Sequence, residues 1–211
     1  MKNILLIGVI LVILVGGFVY IRRNNPASPS NTTVDQSEPT SSPKAEPFIS
    51  SSPDTSTLKA GGNSYLDTKG VYSFLYPNDY QINQESPDHT RIYKQGATQA
   101  GQTEMYDGVI VVFESVNLGG KTLSDWVDTR IKESTTDGTI EVIKPKQATR
   151  LNTYPGFTYE VRGLGSSTYL VLQKNAQSDY GVVITYLVSD PENVGFQTEV
   201  DTILSTVELL K

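Results

Sequence analysis

The chain has 211 residues, with 17 basic and 23 acidic side chains, a formal net charge of −6 and no cysteine. The absence of cysteine excludes disulfide bonds, thiolate metal sites, a catalytic cysteine and the lipidated cysteine of a bacterial lipoprotein. Between Tyr65 and Lys211 there are 12 basic against 19 acidic residues, a net charge of −7. Because phosphate contacts need clustered Lys and Arg, this balance argues against binding to nucleic acid or to an anionic membrane surface.

An uncharged apolar run of 18 residues lies near the N-terminus, from Ile4 to Ile21, and is followed by Arg22 and Arg23. As a helix it would be roughly 27 Å long, close to the ~30 Å hydrocarbon core of a bilayer. A cleaved signal peptide usually has a shorter apolar core and a cleavage site of small residues. The sequence therefore favours an uncleaved transmembrane anchor over residues 1–23, with a cleaved signal peptide as the alternative.

Residues 24–64 have the composition of a disordered spacer. Ser, Thr and Pro make up 21 of these 41 residues, and such a segment cannot bury enough apolar surface to offset the entropy of ordering it. The charges that flank the anchor nearly balance, so they do not decide its orientation. The Ser/Thr/Pro-rich stalk favours an extracytoplasmic domain on the cell membrane, and a cytoplasmic domain is the alternative.

Beyond the spacer, β-branched and aromatic runs separated by turn residues predict strands. The predicted strands are Val71–Tyr76, His89–Lys94, Val109–Phe113, Ile140–Ile143, Phe157–Arg162, Thr168–Gln173 and Gly181–Val188. The continuous apolar run Val109–Phe113 predicts a central strand that is buried on both faces. Turns are predicted at Tyr154–Gly156, Gly163–Ser166 and Asn175–Asp179, and such short connections indicate an antiparallel meander.

Two helices are predicted in the same region. Thr122 and Asp125 fit a capping box, and apolar residues then recur at helical spacing until Asp137–Gly138. For the second helix, Asp190 fits the N-cap and Pro191 the first helical position. Its apolar stripe consists of Phe196, Val200, Ile203, Leu204 and Val207.

The order of strands, helix, strands and helix predicts the fold class α+β, an antiparallel β-sheet flanked by helices, over residues 65–211. The last residues are predicted to form a short closing strand. The whole chain is thus predicted to consist of one N-terminal transmembrane helix, a disordered linker and this domain.

Four short segments carry a family resemblance. They are Gly70–Tyr80 (GVYSFLYPNDY), Leu123–Trp126, Tyr154–Glu160 and Ile203–Val207. On these segments the chain from Tyr65 to Lys211 resembles the PsbP-like family, which has the fold of the extrinsic photosystem II subunit and of many bacterial extracytoplasmic proteins. The resemblance implies an antiparallel sheet between helices and a non-enzymatic, accessory or binding role. The N-terminal anchor differs from the plant protein.

The only histidine, His89, lies close in sequence to Glu85 and Asp88, with Asp79 upstream. Carboxylates and an imidazole could form a divalent metal site. These four residues have no fixed ligand spacing, however, and acidic residues are common in turns such as Ser86–Asp88. The favoured interpretation is an ordinary surface loop, and neither a metal nor a cofactor is predicted.

Catalytic motifs are absent from the sequence. A Ser-His-Asp hydrolase would need His89 as its base, and no Gly-x-Ser-x-Gly segment exists. Leu118–Thr122 (LGGKT) has the end of a phosphate-binding loop but lacks its first glycine. Paired carboxylates for glycoside hydrolysis remain open, because spacing in sequence does not fix spacing in space.

Nine tyrosines could either line a ligand or partner groove or belong to a strand-rich core, and the core is favoured because tyrosine is a preferred strand residue. They are Tyr72, Tyr76, Tyr80, Tyr93, Tyr106, Tyr154, Tyr159, Tyr169 and Tyr186.

The favoured function is a membrane-anchored extracytoplasmic module with a non-catalytic binding or accessory role toward another envelope component. One alternative is an anchored hydrolase with paired carboxylates, which requires a deep cleft holding inward acids of raised pKa. The other is a stalked spacer domain without a ligand.

Overall fold

The structure, a computed structural model, describes residues 62–99, 104–163 and 165–211. The predicted anchor over residues 1–23 and the predicted spacer up to residue 61 lie outside the described residues. Within the described ranges, no helix has both the length and the apolar character needed to span a bilayer.

The described residues form ten strands and two helices. The strands are β1 (Asn63–Leu66), β2 (Tyr72–Tyr76), β3 (Gln81–Ser86), β4 (His89–Gln95), β5 (Gly108–Asn117), β6 (Glu141–Leu151), β7 (Tyr154–Arg162), β8 (Ser166–Gln173), β9 (Tyr180–Ser189) and β10 (Glu208–Leu209). The helices are α1 (Leu123–Thr135) and α2 (Phe196–Ser205). The predicted α+β class is therefore confirmed for this part of the chain, as is the short closing strand.

The strands form two antiparallel sheets. One has seven strands in the order β3-β4-β5-β9-β8-β7-β6, and the other has three in the order β1-β2-β10. The consecutive pairings β6–β7, β7–β8 and β8–β9 confirm the predicted antiparallel meander. β5 pairs with β4 and β9, which makes it a central strand as predicted.

The seven-stranded sheet carries a hydrophobic cluster on each face. One face, here called the α2 face, packs against α2 and the three-stranded sheet, and Phe74 stacks on Phe113 with ring centroids 4.1 Å apart. The opposite α1 face carries Val171 and Val183, which pack with Leu123 and Val127 of α1. The domain is thus a sheet with a covering element on each side.

α1 begins as its sequence predicts. The Thr122 hydroxyl accepts a hydrogen bond from the backbone N–H of Asp125 at 3.2 Å and donates one to the Asp125 carboxylate at 2.7 Å. The hydroxyl therefore supplies an acceptor to one of the N–H groups that lack an intrahelical partner.

α2 begins later than predicted. Its first residue is Phe196 and its N-cap is Gly195, in a left-handed conformation with φ 99°. The Asp190 carboxylate nevertheless accepts hydrogen bonds from the N–H groups of Val194, Gly195 and Phe196 at 2.8–3.2 Å. Asp190 thus caps the helix across an intervening loop, and the prediction of Pro191 as the first helical residue was wrong.

The turn predicted at Tyr154–Gly156 is also absent, because these residues belong to β7. The chain reverses one step earlier, at Asn152 and Thr153, where Leu151 pairs with Tyr154. Asn152 has φ 53°, as a two-residue hairpin turn requires. β6 consequently extends to Leu151, well beyond the predicted strand.

Two strands were not predicted, β1 and β3. β1 begins at Asn63 and includes the last two residues of the predicted spacer. Every residue of β3 is exposed, and its polar sequence QINQES does not alternate as a half-buried strand does. β3 forms because it pairs with β4.

β3 and β6 are the edges of the large sheet. Along β6 the pairing with β7 shifts register on both sides of Lys144, and Pro145 follows. Lys144 lies 2.6 Å from Glu160, and Lys146 lies 2.6 Å from Asp128. Bulges, a proline and charged side chains at an edge oppose pairing with another strand.

Candidate functional site

A partly apolar surface of the domain lies on the α1 face, beside the helix. α1 packs on β6, β7 and β8. The cross-strand register places six half-buried side chains of β4, β5, β8 and β9 in two neighbouring rows on this face. These side chains, here called the open face, are Tyr169, Thr185 and Val112 in one row and Leu187, Ile110 and Tyr93 in the other.

The open face corrects one prediction about β5. Val109, Val111 and Phe113 point to the α2 face and are fully buried, whereas Ile110 and Val112 are only half-buried. The strand was expected to be buried on both faces and is fully buried on one. A sheet face in contact with water is normally polar, so the aliphatic residues here are the exception.

Two arginines flank the open face. Arg91, the cross-strand neighbour of Val112, has its Nη2 2.5 Å from a Glu85 carboxylate oxygen. Arg130 of α1 has its Nη2 3.1 Å from a Glu114 carboxylate oxygen, and its guanidinium carbon lies 5.9 Å from the centre of the Trp126 ring. Each arginine is roughly 40% exposed and so remains accessible to a partner.

A cleft of about 270 Å³, here called the α1 cleft, opens next to the open face at the end of α1. Arg130, Glu133, Ser134, Ile140, Tyr159, Val161 and Tyr169 line it. Tyr169 belongs to both the cleft and the open face. Its ring stacks on that of Tyr159 with centroids 4.8 Å apart and planes 11° from parallel.

A second, larger cleft of about 400 Å³ lies between β2, the end of α2 and the β6–β7 turn. Its polar groups are largely committed to holding these elements together. Thr206 Oγ1 accepts from the backbone N–H of Leu75 at 2.9 Å, and Asn152 Nδ2 donates to the carbonyl of Ser205 at 3.1 Å. The polar groups of the second cleft therefore have a structural role in joining these elements.

The four residues weighed as metal ligands do not converge on one point. His89 Nε2 is 3.4 Å from Glu85, which also binds Arg91. Asp88 pairs with Lys69. Asp79 lies away from these residues, 2.8 Å from Lys94. Among the described ranges, no three His, Cys, Asp or Glu side chains lie close enough together to hold a metal ion.

Lys94 connects three parts of the fold. Its Nζ lies 2.8 Å from Asp79 in the β2–β3 connection and 2.8 Å from Glu199 of α2, while the Tyr80 hydroxyl donates to Glu199 at 2.9 Å. Burial lowers the pKa of Lys94, but its hydrogen bonds to Asp79 and Glu199 outweigh that effect and raise it. The acids of this cluster therefore have a structural role in joining β4 to α2.

The nine tyrosines divide between core and surface. Tyr72, Tyr76, Tyr80 and Tyr159 are buried, as the favoured interpretation predicted, and Tyr154 and Tyr186 pack half-buried against the cluster on the α2 face. Tyr93 and Tyr169 are half-buried on the open face, and Tyr106 is 54% exposed. Tyrosine content alone could not separate these groups. The apolar run of β5 was the sequence signal for the open face; Tyr93 lies on its neighbour β4, and Tyr169 lies on β8, one strand beyond β9.

Comparisons with known proteins give similarity of fold and little else. No family model matches the chain, and no curated protein matches it. Similar solved structures include a Bacteroides thetaiotaomicron protein that is 12% identical, with a TM-score of 0.46 over 71% of this chain. The chain covers 49% of that protein's length.

Two further solved structures are similar over nearly their whole length. The cyanobacterial PsbP of Synechocystis is 18% identical, with a TM-score of 0.45 over 71% of this chain and 93% of PsbP. The Ran-binding protein Mog1p of Saccharomyces cerevisiae is 10% identical, with a TM-score of 0.45 over 72% of this chain and 96% of Mog1p. The resemblance to PsbP is thus also found by structural comparison. At these scores it describes architecture and gives no information about ligand or partner.

Proposed function

We propose that this chain is a membrane-anchored extracytoplasmic module that binds another envelope protein through the open face and has no catalytic activity. The observation that carries the proposal is the half-burial of Ile110, Val112 and Leu187 on a sheet face beside α1. Removal of such aliphatic side chains from water by a partner lowers the free energy of the complex.

The composition of the surface supports a protein partner. Tyr93 and Tyr169 border the aliphatic residues, and Arg91 and Arg130 flank them. Aromatic residues and arginine are enriched in protein interfaces, where a rigid ring or a planar guanidinium contributes much contact at little entropic cost.

The ion pairing of the acids supports a non-catalytic role over a carboxylate hydrolase. Seven acids of the described residues have a basic partner within 3.4 Å, namely Asp79, Glu85, Asp88, Glu114, Asp128, Glu160 and Glu199. A general acid has to be free to reach a substrate and donate a proton to it, and each of these carboxylates is already committed to a basic partner.

The anchor and the extracytoplasmic location rest on the sequence. The run Ile4–Ile21 is long enough to span a bilayer, and the Ser/Thr/Pro-rich spacer suits a domain held away from the membrane. In this arrangement the open face can meet a neighbouring envelope protein at a range of distances from the bilayer.

Crosslinking in intact membranes tests the proposal. The full chain would be compared with Val112→Asp and Thr185→Lys, which place a charge in the open face. Val194→Asp serves as the control, because its site lies in the loop before α2 and is 60% exposed. We expect one reproducible envelope protein to be crosslinked to the native chain and to Val194→Asp, and to be lost from both open-face variants. Thermal unfolding of each variant checks that the fold is retained.

Two outcomes would overturn this proposal. One is the absence of a reproducible envelope partner for the native chain. The other is a partner that is crosslinked equally well by Val112→Asp, Thr185→Lys and the native chain, because its contact would then lie on another surface.

A further inference from the structure

The α1 cleft is lined by a tyrosine whose hydroxyl makes no hydrogen bond to another described residue. Tyr159 is 3% exposed and lines the cleft. Within residues 62–99, 104–163 and 165–211, its hydroxyl makes no hydrogen bond, whereas the equally enclosed Tyr80 donates to Glu199 at 2.9 Å. Because this hydroxyl is not fully enclosed, a bound group or a water can form a hydrogen bond with it.

Arg130 provides a second donor at the same cleft. Its Nη2 contacts one Glu114 oxygen at 3.1 Å, and the side chain is 41% exposed. Burial raises the pKa of Tyr159, the neighbouring Tyr169 adds to the rise, and the Arg130 charge lowers it. The positive charge of the Arg130 guanidinium is therefore close enough to the Tyr159 hydroxyl to act on it electrostatically. A guanidinium has five N–H donors, so a single contact with Glu114 leaves donors for another acceptor.

The rest of the cleft is suited to an apolar stem. Ile140, Val161 and the stacked ring of Tyr169 form its apolar walls. At about 270 Å³ the cleft is smaller than the ~300–1,000 Å³ of most small-molecule sites. Its size suits one inserted side chain better than a free cofactor.

We infer that the α1 cleft receives one acidic side chain of the protein partner, whose carboxylate accepts hydrogen bonds from the Tyr159 hydroxyl and the Arg130 guanidinium. The methylene groups of that side chain pack against Ile140, Val161 and Tyr169. This inference rests on the proposed function, and it adds the chemistry of the residue that the partner must present.

The charges around the cleft favour a single carboxylate over other groups. A cation would meet Arg130, whose positive charge opposes it. Glu114, which already pairs with Arg130, and Glu133 at the exposed rim repel any anion, and they repel a doubly charged phosphate more strongly than a singly charged carboxylate. A partner carboxylate can accept hydrogen bonds from Arg130 N–H groups other than the one that contacts Glu114, because a guanidinium has five donors.

Titration of the full-length chain in detergent micelles tests the inference. The probe is N-acetyl-glutamate methylamide, and its neutral control is N-acetyl-glutamine methylamide. Nuclear magnetic resonance of the arginine Nε–Hε groups reports the contact with Arg130. We expect saturable shifts of Arg130 with the glutamate probe and about tenfold weaker binding of the glutamine probe.

Matched variants separate the two donors from general effects. Tyr159→Phe keeps the stacked ring and removes only the hydroxyl, with Tyr106→Phe at an exposed site as its control. Arg130→Gln removes the guanidinium, with Arg150→Gln on β6 as its control. We expect each cleft variant to weaken the glutamate probe about tenfold and neither control to change it.

Equal binding of the two probes, or unchanged binding in both cleft variants, would overturn the assignment. Such a result is distinguishable from failure of the proposed function, because crosslinking through the open face is measured separately with Val112→Asp. If the crosslinked partner persists while the glutamate probe does not bind, the acidic side chain is rejected and the binding role remains.

Discussion

Tyr72, Tyr80 and Tyr159 are each at most 5% exposed, and burial raises the pKa of all three phenols. Two of them also make specific contacts: Tyr72 donates to the carbonyl of Phe113 at 3.4 Å, and Tyr80 donates to Glu199. The protonated form of each is therefore part of the packed core, and ionisation has to disrupt it.

These residues predict a loss of stability at alkaline pH. In the unfolded chain a tyrosine loses its proton near pH 10, whereas the folded domain retains it to higher pH. The contribution to the free energy of unfolding is therefore complete below about pH 10 and declines as pH rises further. Urea unfolding of the full chain between pH 8 and 11 measures it.

Tyr72→Phe is the informative variant for this measurement, since it removes one titrating group and leaves the ring stack with Phe74 and Phe113 in place. Its stability should fall less steeply above pH 10 than that of the native chain. Tyr106→Phe, at a site that is 54% exposed, should leave the slope unchanged. An identical slope for Tyr72→Phe would contradict the prediction.

At the level of elements, what the sequence predicts well is local. The hydroxyl and carboxylate of Thr122 and Asp125 lie within one helical turn, and the resulting cap was predicted correctly. The start of α2 depends on a loop that lets Asp190 reach Gly195 and Phe196, and no local pattern describes it. β3 has no apolar alternation from which it could be predicted, since it forms by pairing with β4.

The close contact between β7 and β8 predicts that alanine substitution lowers stability at one glycine and has little effect at another. A Cβ at Gly156 would lie 2.3 Å from the carbonyl oxygen of Val171 and 2.7 Å from a methyl carbon of Leu172. Gly156→Ala should therefore force the strands apart and lower the free energy of unfolding by about 1–3 kcal/mol.

Gly163→Ala is the matched control, because its Cβ would find its nearest atom, on Ile140, at an ordinary 3.6 Å. It should change the stability by less than about 0.5 kcal/mol. Denaturant titration of the two variants compares them directly. Equal stability of Gly156→Ala and the native chain would show that β7 and β8 can separate without cost.

For the molecule as a whole, the sequence was sufficient for the class of fold and insufficient for the candidate site. The α+β class follows from the order of strands and helices, which is a property of the chain in one dimension. The open face depends on where α1 packs: it covers Val171 and Val183 and leaves Val112 half-buried. A continuous apolar strand has the same sequence whether both of its faces are covered or one is left for a partner.

The side of the membrane is also a question for the whole molecule. If the domain is extracytoplasmic, protease added to intact cells should cleave the spacer and release a fragment containing the domain. A cytoplasmic protein serves as the control for cell integrity, and disrupted cells show that the chain can be cleaved. Survival of the full chain in intact cells, with cleavage after disruption, would place the domain in the cytoplasm.

The irregular edge strand β6 has a consequence for crowding. Chains tethered to one bilayer share a thin layer, so their domains collide far more often than the same number of molecules in free solution. Flat sheet edges at such surface density would join into ribbons. The register shifts around Lys144, together with Pro145, prevent that growth. If the anchor is present as proposed, the domain can populate a membrane densely and still present its open face to a different protein.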